Sequence, residues 1–182
     1  FAELASRMPP RGLTQAAAQY GIGPDYNIEG IDTVSGSVPP TVNLTERTED
    51  GFGQGKVLVS PFGMALAAAT VAAGRTPTPH LIEGRETEIT GDREPIPAAV
   101  VDNLRPMMQL VVTNGTAKDL QGAGDVRGKT GEAEFAGGSH SWFTGYRGDM
   151  AFSALIVGGG SSEYAVRMLR GMLDELPPGY LA

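Results

Sequence analysis

Val126-Arg127-Gly128-Lys129-Thr130-Gly131-Glu132-Ala133-Glu134-Phe135 is the stretch on which the fold of this 182-residue chain turns. A lysine and a hydroxyl stand beside a glycine on a segment of strand character. Two chemistries fit those letters. A phosphate loop needs a small residue, four free positions and Gly-Lys-Thr, and Ala123 to Thr130 supplies this with alanine at the first glycine position. Such a loop holds phosphate where a buried strand leads in and a helix N-terminus leads out. Here the lead-in, Ala117-Lys118-Asp119-Leu120-Gln121-Gly122, is polar, and Gly137-Gly138 on the far side is a poor helix opening. The flanks argue against phosphate and for the second chemistry, one wall of an acyl-transfer site.

Downstream, Ser141 to Tyr146 reads as a second strand and Ala151 to Val157 as a third. Arg147-Gly148-Asp149 between them is a short turn, so the two should form an antiparallel hairpin with the Lys-Thr-Gly strand alongside. Three more segments accompany it in order. Gly53-Gln54-Gly55 is followed by Val59-Ser60-Pro61-Phe62-Gly63-Met64-Ala65, then by Val111-Val112-Thr113-Asn114-Gly115-Thr116-Ala117, and last by Trp142-Phe143-Thr144-Gly145-Tyr146. With Gly128 to Glu134 these make a four-motif pattern that resembles the C-terminal part of the transpeptidase domain of class B penicillin-binding proteins. An actinobacterial penicillin-binding lipoprotein is the nearest pattern. The resemblance covers most of the chain. It implies an α/β (α+β) fold, an antiparallel sheet flanked by helices, as a partial penicillin-binding transpeptidase or serine β-lactamase-like fold. It also implies a peptidoglycan D,D-transpeptidase that works through a serine acyl-enzyme and is acylated by penicillins.

The resemblance assigns roles residue by residue. Lys129 would supply positive charge and assist proton transfer. Thr130 would donate to the carboxylate of a stem peptide or β-lactam. Gly131 would let the substrate backbone lie against the strand. The backbone N–H of Glu132 would be one oxyanion-hole donor, although the family usually has threonine there. Gly128, His140 and Trp142 join Thr130 and Glu132 as substrate-contact candidates. The family's nucleophile lies in Ser-x-x-Lys, with a second element Ser-x-Asn. No serine here has a lysine three residues on or an asparagine two residues on. Phe1-Ala2-Glu3-Leu4 looks like the helix that follows Ser-x-Asn, which places both missing motifs upstream, with a membrane anchor beyond them. The implied location is the extracytoplasmic face of the bacterial membrane, and the implied partners are peptidoglycan stem peptides, β-lactams and that upstream segment. A D,D-carboxypeptidase or β-lactamase of the same superfamily is the alternative, as is a non-catalytic β-lactam or muropeptide sensor.

Plainer explanations compete at several positions. Ser139-His140 tempts a hydrolase assignment, but adjacent strand residues point to opposite faces. Arg147-Gly148-Asp149 resembles an adhesion motif and is better explained as a hairpin turn. Trp142 and Phe143 fit a sheet core, and His140 a surface or turn histidine. A net charge of −7 with scattered basic residues argues against nucleic acid as a partner. The absence of cysteine excludes disulfides and thiolate chemistry. Two histidines make a zinc site a poor expectation, and no cofactor is implied.

Phe1, Leu4, Ala5 and Met8 have helical spacing without a preceding cap. A first helix is therefore expected to be under way at the start of the chain and to end near Met8 before Pro9-Pro10. A second is expected from Arg11 to Tyr20 with Gly21 as its stop. Residues 22–58, including the polar run Thr45 to Asp50, read as irregular loop. Ser60-Pro61 opens the clearest helix, a buried one to Ala73 that Gly74 ends. Thr76 to Pro97 reads as loop or short edge strand. Val100, Val101, Leu104, Met107, Met108, Val111 and Val112 share a helical face, with Pro106 either kinking that helix or starting a new one. A final helix, Ser162 to Leu176, should pack on the sheet and stop at Pro177-Pro178.

Overall fold

The computed structural model describes residues 1–91, 93–177 and 179–180; Pro178, one of the two expected helix stops, falls outside them. In chain order the elements are α1 (Ala2–Ser6), α2 (Gly12–Gln19), β1 (Asp25–Asn27), β2 (Gly36–Ser37), α3 (Leu44–Asp50), β3 (Leu58–Val59), α4 (Pro61–Ala73), β4 (Glu88–Thr90), α5 (Ala98–Thr113), β5 (Arg127–Phe135), β6 (Gly138–Arg147), β7 (Met150–Ile156) and α6 (Ser162–Asp174). A 3-10 turn, Lys118–Leu120, links α5 to β5. The strand carrying Lys-Thr-Gly pairs antiparallel with β6, and β6 with β7, in the order β5-β6-β7. Gly148, at φ 54, stands first in the two-residue β6–β7 turn, where a right-twisted hairpin asks for glycine. Two small antiparallel pairs, β1 with β4 and β2 with β3, form separately.

Strand alternation sorts the sheet into two faces. Thr130, Phe143 and Ala154 stand across from one another on one face; Lys129, Thr144 and Ser153 do so on the other. The first face closes on α6, where Phe143, Phe152 and Ala154 pack with Ala165, Val166, Leu169 and Leu173. Phe143 is fully buried, a burial that contributes roughly 1.5–3 kcal/mol. The second face meets α4, where Thr144 Oγ1 donates to the Met64 carbonyl at 2.8 Å. Helix α4 follows its sequence signals: Ser60 Oγ accepts the Gly63 N–H at 3.0 Å, Pro61 occupies the first turn, and Gly74 ends the helix at φ 73.

One expectation needs correcting, and one open alternative is settled. Thr45 to Asp50 is a helix, not loop: the Asn43 side chain accepts from the N–H groups of Thr45 (2.9 Å) and Glu46 (3.2 Å) and starts α3. That helix packs on α1 so closely that a Cβ on Gly51 would lie 2.2 Å from Ala5 Cβ. Pro106 does not start a new helix, because α5 runs 16 residues with Pro106 inside. Removing one backbone bond there costs about 3 kcal/mol in a free helix. Beside it, Arg105 bonds the α4 carbonyls of Val71 (3.1 Å) and Ala72 (2.8 Å), which the helix end leaves without backbone partners. The shared apolar face of α5 is only partly buried: Val101 and Val112 are in the core, while Val100 and Met107 are exposed. In α1 only Ala5 is buried, and Phe1 and Leu4 are exposed.

Candidate active site

Strand β5 is the outer strand of its sheet, so one side of its backbone lacks a strand partner. Alternate residues of an antiparallel strand turn both N–H and C=O to the same side. Glu132 turns outward, because its carbonyl accepts Nε2 of Gln54, from a loop outside the sheet, at 3.1 Å. The two-residue period makes Thr130 outward too, and its carbonyl accepts Lys129 Nζ at 2.7 Å. The Glu132 N–H therefore faces the same open side as the Lys129 ammonium group.

A cavity of about 490 Å³ opens along this edge. Lys129, Thr130, Gly131, Glu132 and Ala133 form one wall, with Trp142 and Thr144 behind. Phe52, Val57, Val59 and Met64 form an apolar wall opposite. A second, almost wholly apolar groove of about 440 Å³ runs between α4 and α5, bordered by Val71, Leu104, Met108 and Val111. Lys129 and Thr144 line both spaces. Lys129 is exposed and makes no ion pair among the described residues.

Thr130 lies on the opposite strand face from Lys129 and is nearly buried. Its hydroxyl is 2.6 Å from that of Thr116, in the turn after α5. One hydroxyl donates to the other, which leaves one O–H of the pair free for an anion. Glu132 is fixed at both ends. Its carboxylate accepts the Ser162 N–H at 2.8 Å, at the start of α6, where the helix dipole favours negative charge. The next N–H groups of that helix are taken by Ser161 Oγ (from Glu163, 3.3 Å) and Ser141 Oγ (from Ala165, 3.1 Å). The acidic side chain thus serves as part of the α6 cap, while its backbone serves the cavity.

The loop facing β5 is held as firmly. Gly53 and Gly55 have positive φ, 83 and 64, and the Asp50 carboxylate accepts the Lys56 N–H at 2.8 Å. Glu46 receives Lys56 Nζ at 2.9 Å and the Thr41 hydroxyl at 3.1 Å. The Lys56 hydrogen bond, followed by that from Thr41, pulls the Glu46 carboxyl below its ordinary value of 4.5. A lowered folded-state pKa stabilises the loop above the unfolded value, and that contribution is lost as pH falls through the folded one. An NMR titration of Glu46 should give a midpoint below 4.5 that rises toward the ordinary value in Lys56→Ala, the Thr41 hydrogen bond still holding it down.

Of the residues singled out from the sequence, Lys129, Thr130, Gly131, Glu132 and Trp142 meet at the cavity. Gly128 and His140 do not line it. A Cβ on Gly128 would lie 2.4 Å from the Phe143 ring, so glycine there answers to packing. His140 stacks on Phe135 at 4.7 Å and accepts the Gly158 N–H at 3.0 Å, at the far end of the hairpin. Thr116 and Gln54 stand in motifs visible in the sequence, but their partners lie 14 and 78 residues away, a pairing that only the fold brings about. Among the described residues no acidic or histidine cluster could hold a metal, and no helix is long and apolar enough to cross a membrane.

A family model, the penicillin binding protein transpeptidase domain, matches residues 1–168. The chain belongs to that family. Among curated proteins nothing matches. Solved structures agree on the fold at low identity. The penicillin-binding protein PBP2 of Helicobacter pylori, in complex with MreC, superposes with a TM-score of 0.78 at 21% identity, over 99% of this chain and 38% of that one. Pseudomonas aeruginosa PBP2, in complex with WCK 5153, gives 0.75 at 21% identity, over 100% of this chain and 47% of that one. Penicillin-binding protein A of Mycobacterium tuberculosis, as a penicillin G acyl-enzyme complex, gives 0.69 at 20% identity, over 95% of this chain and 44% of that one. The chain thus spans less than half the length of each.

Proposed function

We propose that this chain is the C-terminal portion of a peptidoglycan D,D-transpeptidase domain that cross-links the cell wall through a serine acyl-enzyme and is acylated by β-lactams. One observation carries it: Lys129, Thr130 and Glu132 line one cavity along an open strand edge, with the Glu132 N–H outward and the Thr130 hydroxyl paired to that of Thr116. The serine, its lysine and the Ser-x-Asn element belong to an upstream segment of the same protein, which acts outside the cytoplasmic membrane and carries the anchor.

In this reaction the serine oxygen bonds to the penultimate carbonyl carbon of a stem peptide, and the C–N bond to the terminal D-alanine breaks. The leaving amine takes up the proton that the serine gives up. The amine of a second stem peptide then attacks the ester, forming the cross-link and restoring the serine. Both tetrahedral intermediates carry an oxyanion, which the Glu132 N–H is placed to receive. Lys129 lowers the cost of negative charge at the reacting centre and steers proton transfer. The Thr130–Thr116 pair receives the substrate carboxylate.

The test is intact-mass analysis of the protein, with its upstream segment, after incubation with penicillin G. One covalent adduct per molecule, on a serine outside residues 1–182, is expected. No adduct on any species would overturn the catalytic assignment.

A further inference from the structure

Both outward carbonyls at the cavity edge of β5 are already occupied, and by side chains. Lys129 Nζ holds that of Thr130 at 2.7 Å, and Gln54 Nε2 holds that of Glu132 at 3.1 Å. The two donors differ in what holds them. Lys129 belongs to β5 itself. Gln54 reaches across from a separate loop, on a residue flanked by two glycines of positive φ.

That loop is otherwise closed on itself. Gly53 N–H bonds the Asp50 carbonyl at 3.0 Å, Gln54 N–H the Glu49 carbonyl at 3.2 Å, and Val57 N–H the Gln54 carbonyl at 3.3 Å. Glu132 is pinned on its other side by Ser162. Loop and strand are therefore both fixed, and the half-buried Gln54 side chain is the movable part between them. Its bond is neutral and solvent-exposed, the weak kind that a competing donor displaces.

An extended acyl donor adding to this edge as a strand pairs with Glu132 twice. Its carbonyl takes the Glu132 N–H, and the N–H of the same residue takes the Glu132 carbonyl. The second of those positions is where the Gln54 amide lies. We propose that Gln54 is a specificity-determining residue: its side-chain amide holds the Glu132 carbonyl until an acyl donor with a backbone-like N–H beside the reacting carbonyl displaces it. This rests on the transpeptidase reading. Ligands with that N–H regain on binding the bond they break. Ligands without it leave Gln54 in place.

The consequence is a ligand-dependent sign. Penicillin G carries an acylamino N–H next to its β-lactam carbonyl, and a carbapenem carries a hydroxyethyl group there instead. In the whole protein, Gln54→Ala and the isosteric Gln54→Met remove the competing donor. Each should raise the second-order acylation rate with penicillin G by about 2- to 10-fold, the range of one exposed hydrogen bond. The carbapenem rate should stay within about twofold of the unsubstituted protein, since no ligand N–H competes for that carbonyl. Equal changes with both ligands would reduce Gln54 to a loop-positioning residue and overturn the proposal. A fall confined to penicillin G would overturn it as well, by making Gln54 a retained ligand contact. An unsubstituted protein that neither ligand acylates overturns the transpeptidase assignment itself, an outcome separate from the other two.

Discussion

Lys129→Ala is expected to slow acylation of the whole protein by penicillin G about 100- to 1000-fold, the usual loss when one preorganised charge or donor is removed from such a site. It does so with little change in stability. The side chain is exposed, makes no ion pair among the described residues, and its one hydrogen bond goes to the neighbouring Thr130 carbonyl. Surface positions of that kind shift stability by no more than about 0.5 kcal/mol. Lys129→Arg should not restore the rate. A guanidinium group keeps the charge, but its planar fork cannot take the place of a compact ammonium between the two apolar spaces that Lys129 borders. Stopped-flow acylation with a fluorescent penicillin, alongside thermal unfolding, separates the effects. A variant that acylates at the original rate would leave Lys129 as a solvated strand lysine. A large fall in melting temperature would make it structural.

What the sequence made legible, and what it hid, follows from the range of the interactions. Ser60, Pro61 and Gly74 mark α4 within its own turns, so its ends are readable, as is the Gly148 turn joining β6 to β7. The Lys-Thr-Gly strand was visible as a strand beside the β6–β7 hairpin, while its outer position in the sheet comes from the fold. Helix α3 was hidden because Leu44-Thr45-Glu46-Arg47-Thr48-Glu49-Asp50 has no apolar stripe. Its one local signal was Asn43 followed three residues later by Glu46, a capping pattern without the apolar run that usually confirms it. The continuity of α5 through Pro106 depends on tertiary packing, since Arg105 reaches the end of α4, more than thirty residues earlier. The same holds at the site. Lys129, Thr130 and Glu132 share one strand and were named together, while Thr116 and Gln54 reach them only through the fold. Glu132 shows the limit most clearly. It stands where the family usually has threonine, yet its carboxylate goes to the α6 N-terminus.

Gly128 and Gly131 stand three residues apart on one strand, and alanine should affect them in opposite ways. At Gly128 an added methyl group would lie 2.4 Å from the Phe143 ring and 2.5 Å from the Thr144 carbonyl, inside the sheet's buried face. Phe143 has no room to yield, being fully buried against α6. Overpacking of that kind costs about 1–3 kcal/mol, or roughly 2–10 °C in melting temperature for a domain of this size. At Gly131 the nearest atom to a new methyl group is Trp142 Cβ at 3.4 Å, an ordinary contact, and φ is not in the left-handed region. The fold itself does not ask for glycine there. Gly131→Ala should therefore unfold within a few degrees of the parent. Gly131 lines the cavity, however, so the methyl group would stand where an extended substrate must lie against the strand. A displacement of the reacting carbonyl by about 1 Å can cost on the order of 100-fold in rate. Thermal unfolding of both variants, with acylation rates for the whole protein, tests the pair. If Gly131→Ala is destabilised as much as Gly128→Ala, its glycine serves packing. If it is stable and acylates at the parent rate, the substrate does not lie along β5, and the oxyanion role given to Glu132 falls with it.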